Sequence, residues 1–176
     1  MSVRKILTVG TPSLREPSEE VTKSQIRSPM MRRLVRDMTD TLAEAKGIGL
    51  AAPQIGEQFR VVLFDVPEDN GYIEGGQALA RTICINPLVT VLDGPTAGFW
   101  EGCLSVPGKR GYVERPQHIR LDFMDLAAKP RSMEFEGFLS TVCQHEIDHL
   151  DGVLYIDRVK EPALLVSEAE FNETTE

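Results

Sequence analysis

Cysteine is scarce in this 176-residue chain: Cys84, Cys103 and Cys143 are the three present, and none forms a CxxC pair. An odd, sparse set of thiols excludes a disulfide framework in a chain of this length. Each thiol is then a small buried hydrophobe, a reactive group or a metal ligand. Long apolar runs are missing too, and no stretch approaches the ~20 residues needed to span a bilayer. The opening MSVRKILTVGTPSLREPSEE is apolar only around Ile6 to Val9 and turns polar at once, unlike a signal peptide. It also lacks the Arg-rich, acid-poor bias of a mitochondrial transit peptide. A cytoplasmic location without membrane attachment is expected. Basic residues are outnumbered, 19 Lys and Arg against 27 Asp and Glu, for a net charge of −8. Nucleic-acid binding rests on clustered cations that displace counterions, so direct binding to nucleic acid is not expected. Docking on a basic protein surface stays open.

What remains is an ordinary globular composition, 41% apolar and 26% charged, with no internal repeat or low-complexity linker. We read residues 1–176 as one domain, with an acidic C-terminal helix or tail over 161–176. SPMMRRLVRDMTDTLAEAKG, residues 28–47, predicts an amphipathic helix with Ser28 as N-cap, Pro29 in the first turn and Gly47 at the C-terminal end. Met31, Leu34, Val35, Met38, Leu42 and Ala45 share its apolar face. Residues 59–66 predict a strand, followed by a polar, Gly-rich loop from Pro67 to Gln77. A second strand over 82–92 is interrupted at Pro87, which signals an edge or a bend. Ile119, Leu121 and Phe123 alternate in a third strand. Residues 131–137 form a fourth, joined to it through a turn at LAAKP. GFLSTVCQHEIDHLDG, 137–152, predicts a second long helix closed by Gly152, and a short last helix begins at Pro162. Strands grouped around helices, without regular βαβ alternation, predict an α+β fold of largely antiparallel sheets packed around that second helix.

The chemistry concentrates in QHEIDHLDG. His145 and His149 are four residues apart, so a helix stacks them on one face, with Glu146 beside it. This is the HExxH pattern of two imidazole ligands and a carboxylate base. Short motifs also arise by chance on solvated helices. Two features weigh against that here. Leu139, Val142, Cys143, Ile147 and Leu150 would bury this helix, and buried His and Glu are costly unless paired or ligated. The chain also has just three histidines; the third, His118, opens an alternating strand and reads as a surface or hydrogen-bonded residue. A catalytic metal usually keeps three protein ligands and one open position. Downstream, Tyr155 stands where one class of HExxH enzymes has a third His. Glu161, Glu168 and Glu170 are carboxylates available for a peptidase-type third ligand. Upstream, Cys103 in EGCLSVPG is flanked by glycine and small residues. A structural zinc site would need a fourth ligand, for which Cys143 is the spare thiol.

GIGLAAPQ at 47–54, EGCLS at 101–105 and QHEIDH at 144–149 together resemble, in order and spacing, the three signature motifs of the peptide deformylases. GTPSLR near the start, INP at 85–87 and DGVLYIDR at 151–158 extend the resemblance over roughly residues 4 to 160. No motif position departs from the pattern.

The resemblance implies removal of the N-formyl group from the starting methionine of newly made polypeptides, with release of formate. It implies one divalent metal on Cys103, His145 and His149, natively Fe(II), with Zn(II), Ni(II) or Co(II) accommodated. Glu146 would act as general base and then general acid. The Gln54 amide and the Leu104 backbone N–H would stabilise the developing oxyanion. Ile48, Gly49 and Gly102 would hydrogen-bond an extended peptide, and Ile48, Phe99, Phe138 and Val142 would surround its methionine side chain. Glu101 and Arg115 would form an ion pair behind the ligands. The implied partners are formylmethionyl nascent chains. The basic C-terminal helix by which some relatives dock on the ribosome is not evident, because EPALLVSEAEFNETTE has five Glu and no Lys or Arg; ribosome contact would be transient.

Overall fold

The structure, a computed structural model, describes residues 2–68 and 78–175. The expected Gly-rich loop therefore falls largely outside the described residues. The elements are α1 (Lys23–Ile26), α2 (Pro29–Ala45), β1 (Gly49–Ala51), β2 (Val61–Val66), β3 (Leu79–Val91), β4 (Thr96–Cys103), β5 (Val106–Pro116), β6 (His118–Met124), β7 (Pro130–Glu136), α3 (Gly137–Leu150), β8 (Leu165–Ser167) and α4 (Glu168–Thr175). One antiparallel sheet has the order β1-β2-β3-β6-β7, and a smaller one has the order β4-β5-β8. The α+β architecture is as expected.

The helix α2 starts where the sequence places it. The Ser28 hydroxyl accepts a hydrogen bond from the Met31 N–H at 3.2 Å, and Pro29 occupies the first turn, where no donor is needed. Its end differs from expectation. Lys46, not Gly47, takes the left-handed conformation, with φ of 53°. Gly47 is needed for closeness instead: a Cβ there would sit 2.7 Å from Leu42 Cδ1.

Met31, Leu34, Met38 and Leu42 pack with Leu50, Val61, Leu63 and Ile85 on one face of the larger sheet. Val62, Phe64, Cys84, Ile119, Leu121 and Phe123 cover the other face and meet Leu139, Val142, Cys143, Ile147 and Leu150 of α3. The strand β2 is buried on both faces, which is why VVLFDV is an apolar run rather than an alternation. Pro87 lies inside an interior strand, not at an edge. The β3–β6 register shifts between Ile85 and Leu88, and Asn86 turns to a φ of 49°. Its side chain bonds both backbone groups of Val21 at 2.8 Å, which ties the bend to the N-terminal segment. The smaller sheet lies against the opposite side of α3, so the helix runs between two sheets.

The C-terminal segment also differs from expectation. A short 3-10 turn at Pro162–Leu164 leads into β8, which pairs with β5, and only then does α4 begin.

Candidate functional site

From Leu139 to Leu150 every residue of α3 except Gln144 is buried. The helix is wedged between two sheets, so its polar stripe is buried with its apolar one. Burying charge is tolerated only with partners, and α3 supplies them in three layers.

The first layer joins the helix to the end of β4. Cys103 Sγ lies 3.3 Å from His149 Nε2, and one ligand atom from each of Cys103, His145 and His149 falls within 4.8 Å of the others. The His145 and His149 rings stand edge to face with centroids 5.3 Å apart. A divalent ion bonded at ~2.0–2.3 Å would hold such donors roughly 3–4 Å apart, a spacing that the Cys103–His149 pair has and that the group as a whole approaches. The His149 Nδ1 and Glu146 Oε2 atoms are buried and make no hydrogen bond to the described residues.

The second layer braces this candidate ligand group. Glu101 Oε2 is 2.7 Å from His145 Nδ1, which orients that ring. Arg115, with its side chain only 2% exposed, donates to Glu101 through Nε at 2.6 Å and Nη2 at 3.0 Å, and to Asp148 through Nη1 at 2.8 Å. Arg158 closes on Asp148 from outside with two 2.5 Å hydrogen bonds. Tyr155 stacks on the His145 ring with centroids 5.8 Å apart, and its hydroxyl donates to the Lys109 carbonyl at 3.0 Å. Tyr155 thus buttresses the site where another class of HExxH enzymes has a ligand.

The electrostatics follow from this packing. Burial alone would raise Glu101, but hydrogen bonds from His145 and Arg115 hold it below the usual carboxylate range. Burial would likewise strip the proton from His145, yet its bonds to Cys103 and Glu101 raise it well above an ordinary histidine. His149 is held neutral, first by burial and then by the positive charge of His145 and Arg115. Burial, reinforced by Glu101 and opposed by His145 and Arg115, pushes Glu146 up to about 7. A carboxyl group there can both accept and return a proton near neutral pH.

The third layer is a cleft of about 390 Å³ between β1, the edge of the larger sheet, and β4, the edge of the smaller. Among the described residues, each edge is paired on one side only. The cleft is lined by Ile48, Gly49, Gln54, Phe99, Glu101, Gly102, Cys103, Leu104, Phe138, Val142, His145 and Glu146. Phe99 and Phe138 meet edge to face at 5.9 Å and make an apolar wall. Gly49 has no room for a side chain, because a Cβ would fall on the Glu146 carboxyl group. The Gln54 amide oxygen accepts from the Ala51 N–H at 2.8 Å, so its NH₂ group is turned toward Cys103 Sγ, 3.6 Å away, and the Ser105 hydroxyl, 3.1 Å away.

His149 and Arg115 stand behind the cleft wall rather than in it. Cys143, on α3 itself, is buried in the core, outside the ligand group. His118 bonds the Asp93 carbonyl at 3.0 Å on the surface. Glu168 pairs with Arg110, and Glu170 accepts from the Ser167 backbone and hydroxyl, so neither joins the ligand group. Sequence reasoning missed Asp148, Ser105 and Tyr155. All three lie inside the quoted stretches, but only the folded chain shows whom they touch.

Comparison with known proteins gives a uniform result. The family model described as polypeptide deformylase matches residues 3–164. The peptide deformylase of Leptospira biflexa is 48% identical over 164 residues, which cover 93% of this chain and 92% of that one. The peptide deformylase of Thermomicrobium roseum is 39% identical over 165 residues, covering 94% and 90%. Among solved structures, the Met-Ala-Ser-bound class I type b peptide deformylase of Acinetobacter baumannii superposes with a TM-score of 0.85 at 29% identity, covering 90% of this chain and 100% of that one. The actinonin complex of the Synechococcus elongatus enzyme gives 0.80 at 32% identity, covering 98% and 84%.

Proposed function

The chain belongs to the polypeptide deformylase family, and from that premise we propose how its own residues carry the reaction. The enzyme is a metal-dependent hydrolase that removes the N-formyl group from newly made polypeptides. Residues 1–176 act as one catalytic domain, in the cytoplasm where formylated chains emerge. Among the described residues no helix is long and apolar enough to cross a membrane.

Cys103, His145 and His149 hold one divalent ion, and the mutual approach of these three donors supports this. Fe(II) is the native ion on the strength of family resemblance. A thiolate with two imidazoles also suits Zn(II), and accommodates Ni(II) or Co(II). When bound, such an ion supplies Lewis acidity, lowering the pKa of a water molecule and polarising a carbonyl oxygen.

The observation that carries the reading is Glu146, buried at the floor of a cleft between two sheet edges, with one oxygen that makes no hydrogen bond among the described residues. Glu146 takes the proton from the attacking water and passes it to the leaving amine. Gln54 donates its turned NH₂ group to the formyl oxygen as charge grows there, and the Leu104 N–H is the second donor. One such donor is worth roughly 100- to 1,000-fold in rate. The peptide lies extended between β1 and β4 as an added strand, bonded by Ile48, Gly49 and Gly102. Its methionine side chain enters the wall of Ile48, Phe99, Phe138 and Val142. Glu101 and Arg115 keep His145 and the Cys103 strand in register. Contact with the ribosome is transient, because the segment after residue 160 is acidic and lacks the Lys and Arg of a docking helix.

The test uses protein purified without oxygen. Bound metal is quantified, and formate release from formyl-Met-Ala-Ser is followed for the wild type and Glu146→Ala. Formate release that disappears while metal stays bound is the expected result. A variant that retains metal and a wild-type rate would remove Glu146 from the mechanism.

A further inference from the structure

The charge of this chain is unevenly placed. Residues 21–36 hold Lys23, Arg27, Arg32, Arg33 and Arg36 and no Asp or Glu, on a chain whose net charge is −8. All five are exposed, over α1, its C-terminal end and the first half of α2. Among the described residues none of the five pairs with a carboxylate, whereas every arginine outside the segment does. Two of the guanidiniums are held in place without being neutralised. Arg32 donates through Nη1 to the Arg27 carbonyl at 2.9 Å, and Arg27 donates through Nη2 to the Ala127 carbonyl at 3.3 Å. The first acid after the segment, Asp37, is buried and pairs with Arg4. The next, Asp40, is half-buried, accepts from the Ser2 N–H and hydroxyl, and feels the charge of Arg36.

Folding does not ask for this arrangement. Cations in the first turns of a helix face the positive end of its dipole. Arg32 and Arg33 each lie one turn from Arg36, and like charges at that spacing repel. The stripe therefore costs stability while presenting a dense, partly preorganised positive surface. A net charge is an average over the chain, and a local patch of opposite sign sets its own field.

We propose that this stripe of Arg27, Arg32, Arg33 and Arg36 docks on the phosphate backbone of double-helical RNA. Four of the five cations are arginines, whose planar fork matches phosphate oxygens. Residues 21–37 contain no aromatic side chain, so stacking on single-stranded bases has no platform. The apolar face of α2 is spent in the core, and Met30 is the one exposed large apolar residue of the stripe, so insertion into a lipid surface has little to drive it. Packed on the sheet by that face, α2 cannot enter the wide major groove of a DNA duplex as a recognition helix does. The RNA duplex suits a surface stripe better, because its major groove is narrow and proteins grip it by phosphates and shape. Arg33 and Gly47, which lines the cleft, are separated by most of α2, roughly 20 Å, so docking leaves the cleft open.

The experiment follows fluorescence anisotropy of a labelled RNA duplex of about 20 base pairs with the metal-loaded enzyme, as KCl is raised from ~50 to ~200 mM. Wild type should bind, and about four phosphate contacts should weaken binding roughly 100-fold over that range, a log–log slope of about −3 to −4. The double variant Arg32→Gln, Arg33→Gln should make the slope shallower by about two and weaken binding at low salt at least roughly tenfold; Arg36→Gln alone should change the slope by about one. The pair Arg81→Gln, Arg120→Gln removes the same charge from exposed, carboxylate-paired positions and should leave affinity and slope at the wild-type values. Formate release from formyl-Met-Ala-Ser should be unchanged in all variants, which checks their folding, and the Tm of the first pair should be at or above that of wild type because repulsion is relieved. The inference stands apart from the cleft chemistry, so its failure leaves the deformylase reading untouched. Absence of binding at low salt would overturn it. So would an equal loss in the Arg81→Gln, Arg120→Gln pair, in favour of net charge. A DNA duplex of the same sequence, vesicles of phosphatidylglycerol and phosphatidylcholine, or poly-glutamate bound as tightly as the RNA would overturn it in favour of another polyanion.

Discussion

Replacing Arg115 with methionine tests how the buried network holds the site. The guanidinium makes three hydrogen bonds to two carboxylates, at 2.6, 3.0 and 2.8 Å, in a region closed to water. Hydrogen bonds to charged groups are worth ~1.5–3 kcal/mol each. The gross loss is offset by relief of the buried cation and by methionine packing in its place. Glu101 also keeps His145, and Asp148 keeps Arg158. A buried pair broken on one side usually costs ~3–5 kcal/mol, and the surviving partners place Arg115→Met near the lower end, at about 3–4 kcal/mol. For a chain of this length that lowers Tm by roughly 6–16 °C. Arg115→Lys, which keeps the charge but loses the fork, should cost about half as much.

The pH dependence has a definite sign. Glu101 is held below its ordinary range in the folded state, so its contribution is present above the unfolded value of ~4.3 and lost as pH falls through the folded one. Without Arg115 that depression weakens. The stability gap between wild type and Arg115→Met should therefore be full at pH 6–7 and narrow below about pH 4. Urea unfolding of the metal-free proteins across this range measures the gap. A difference under about 1 kcal/mol at pH 7, or one that widens on acidification, would refute the reasoning.

Three other outcomes follow from the geometry. Cys103→Ser should lose metal on dialysis while Glu168→Ala and Glu170→Ala retain it, as elemental analysis would read; the opposite pattern would point to a peptidase-type third ligand. In the folded metal-free protein, iodoacetamide should label the partly exposed Cys103 and spare the buried Cys84 and Cys143. Burial pushes Cys84 up to about 12 and Cys143 higher still, and mass spectrometry before and after urea would show whether both become reactive only on unfolding. Gly49→Ala should displace the Glu146 carboxyl group and cut formate release by about 100-fold, since small misplacements of a catalytic group cost that much. An unchanged rate would show that Glu146 has room to move or takes no part.

Much of this was legible locally. The spacing of His145 and His149, the cap at Ser28 and the alternation of Ile119, Leu121 and Phe123 are short-range patterns. A helix or strand of the right period turns them directly into faces. The β4–β5 hairpin was not legible. TAGFWEGC and VPGKRGYVERP are rich in glycine and charge, and their inward residues include Glu101 and Arg115, so the usual apolar alternation is inverted. The C-terminal strand was hidden for a related reason: three residues become a strand only because β5 offers an edge.

The sequence by itself determined the candidate ligand types, the helix that carries two of them and the family to which the whole pattern belongs. Tertiary structure alone decided that Cys103 meets His149 across 46 residues, that Arg115 is buried between two carboxylates and that Arg110 is held by the C-terminal segment. The physical reason is range. Backbone periodicity is written every two to four residues, whereas the closure of two sheets on one helix depends on burial shared across the whole chain.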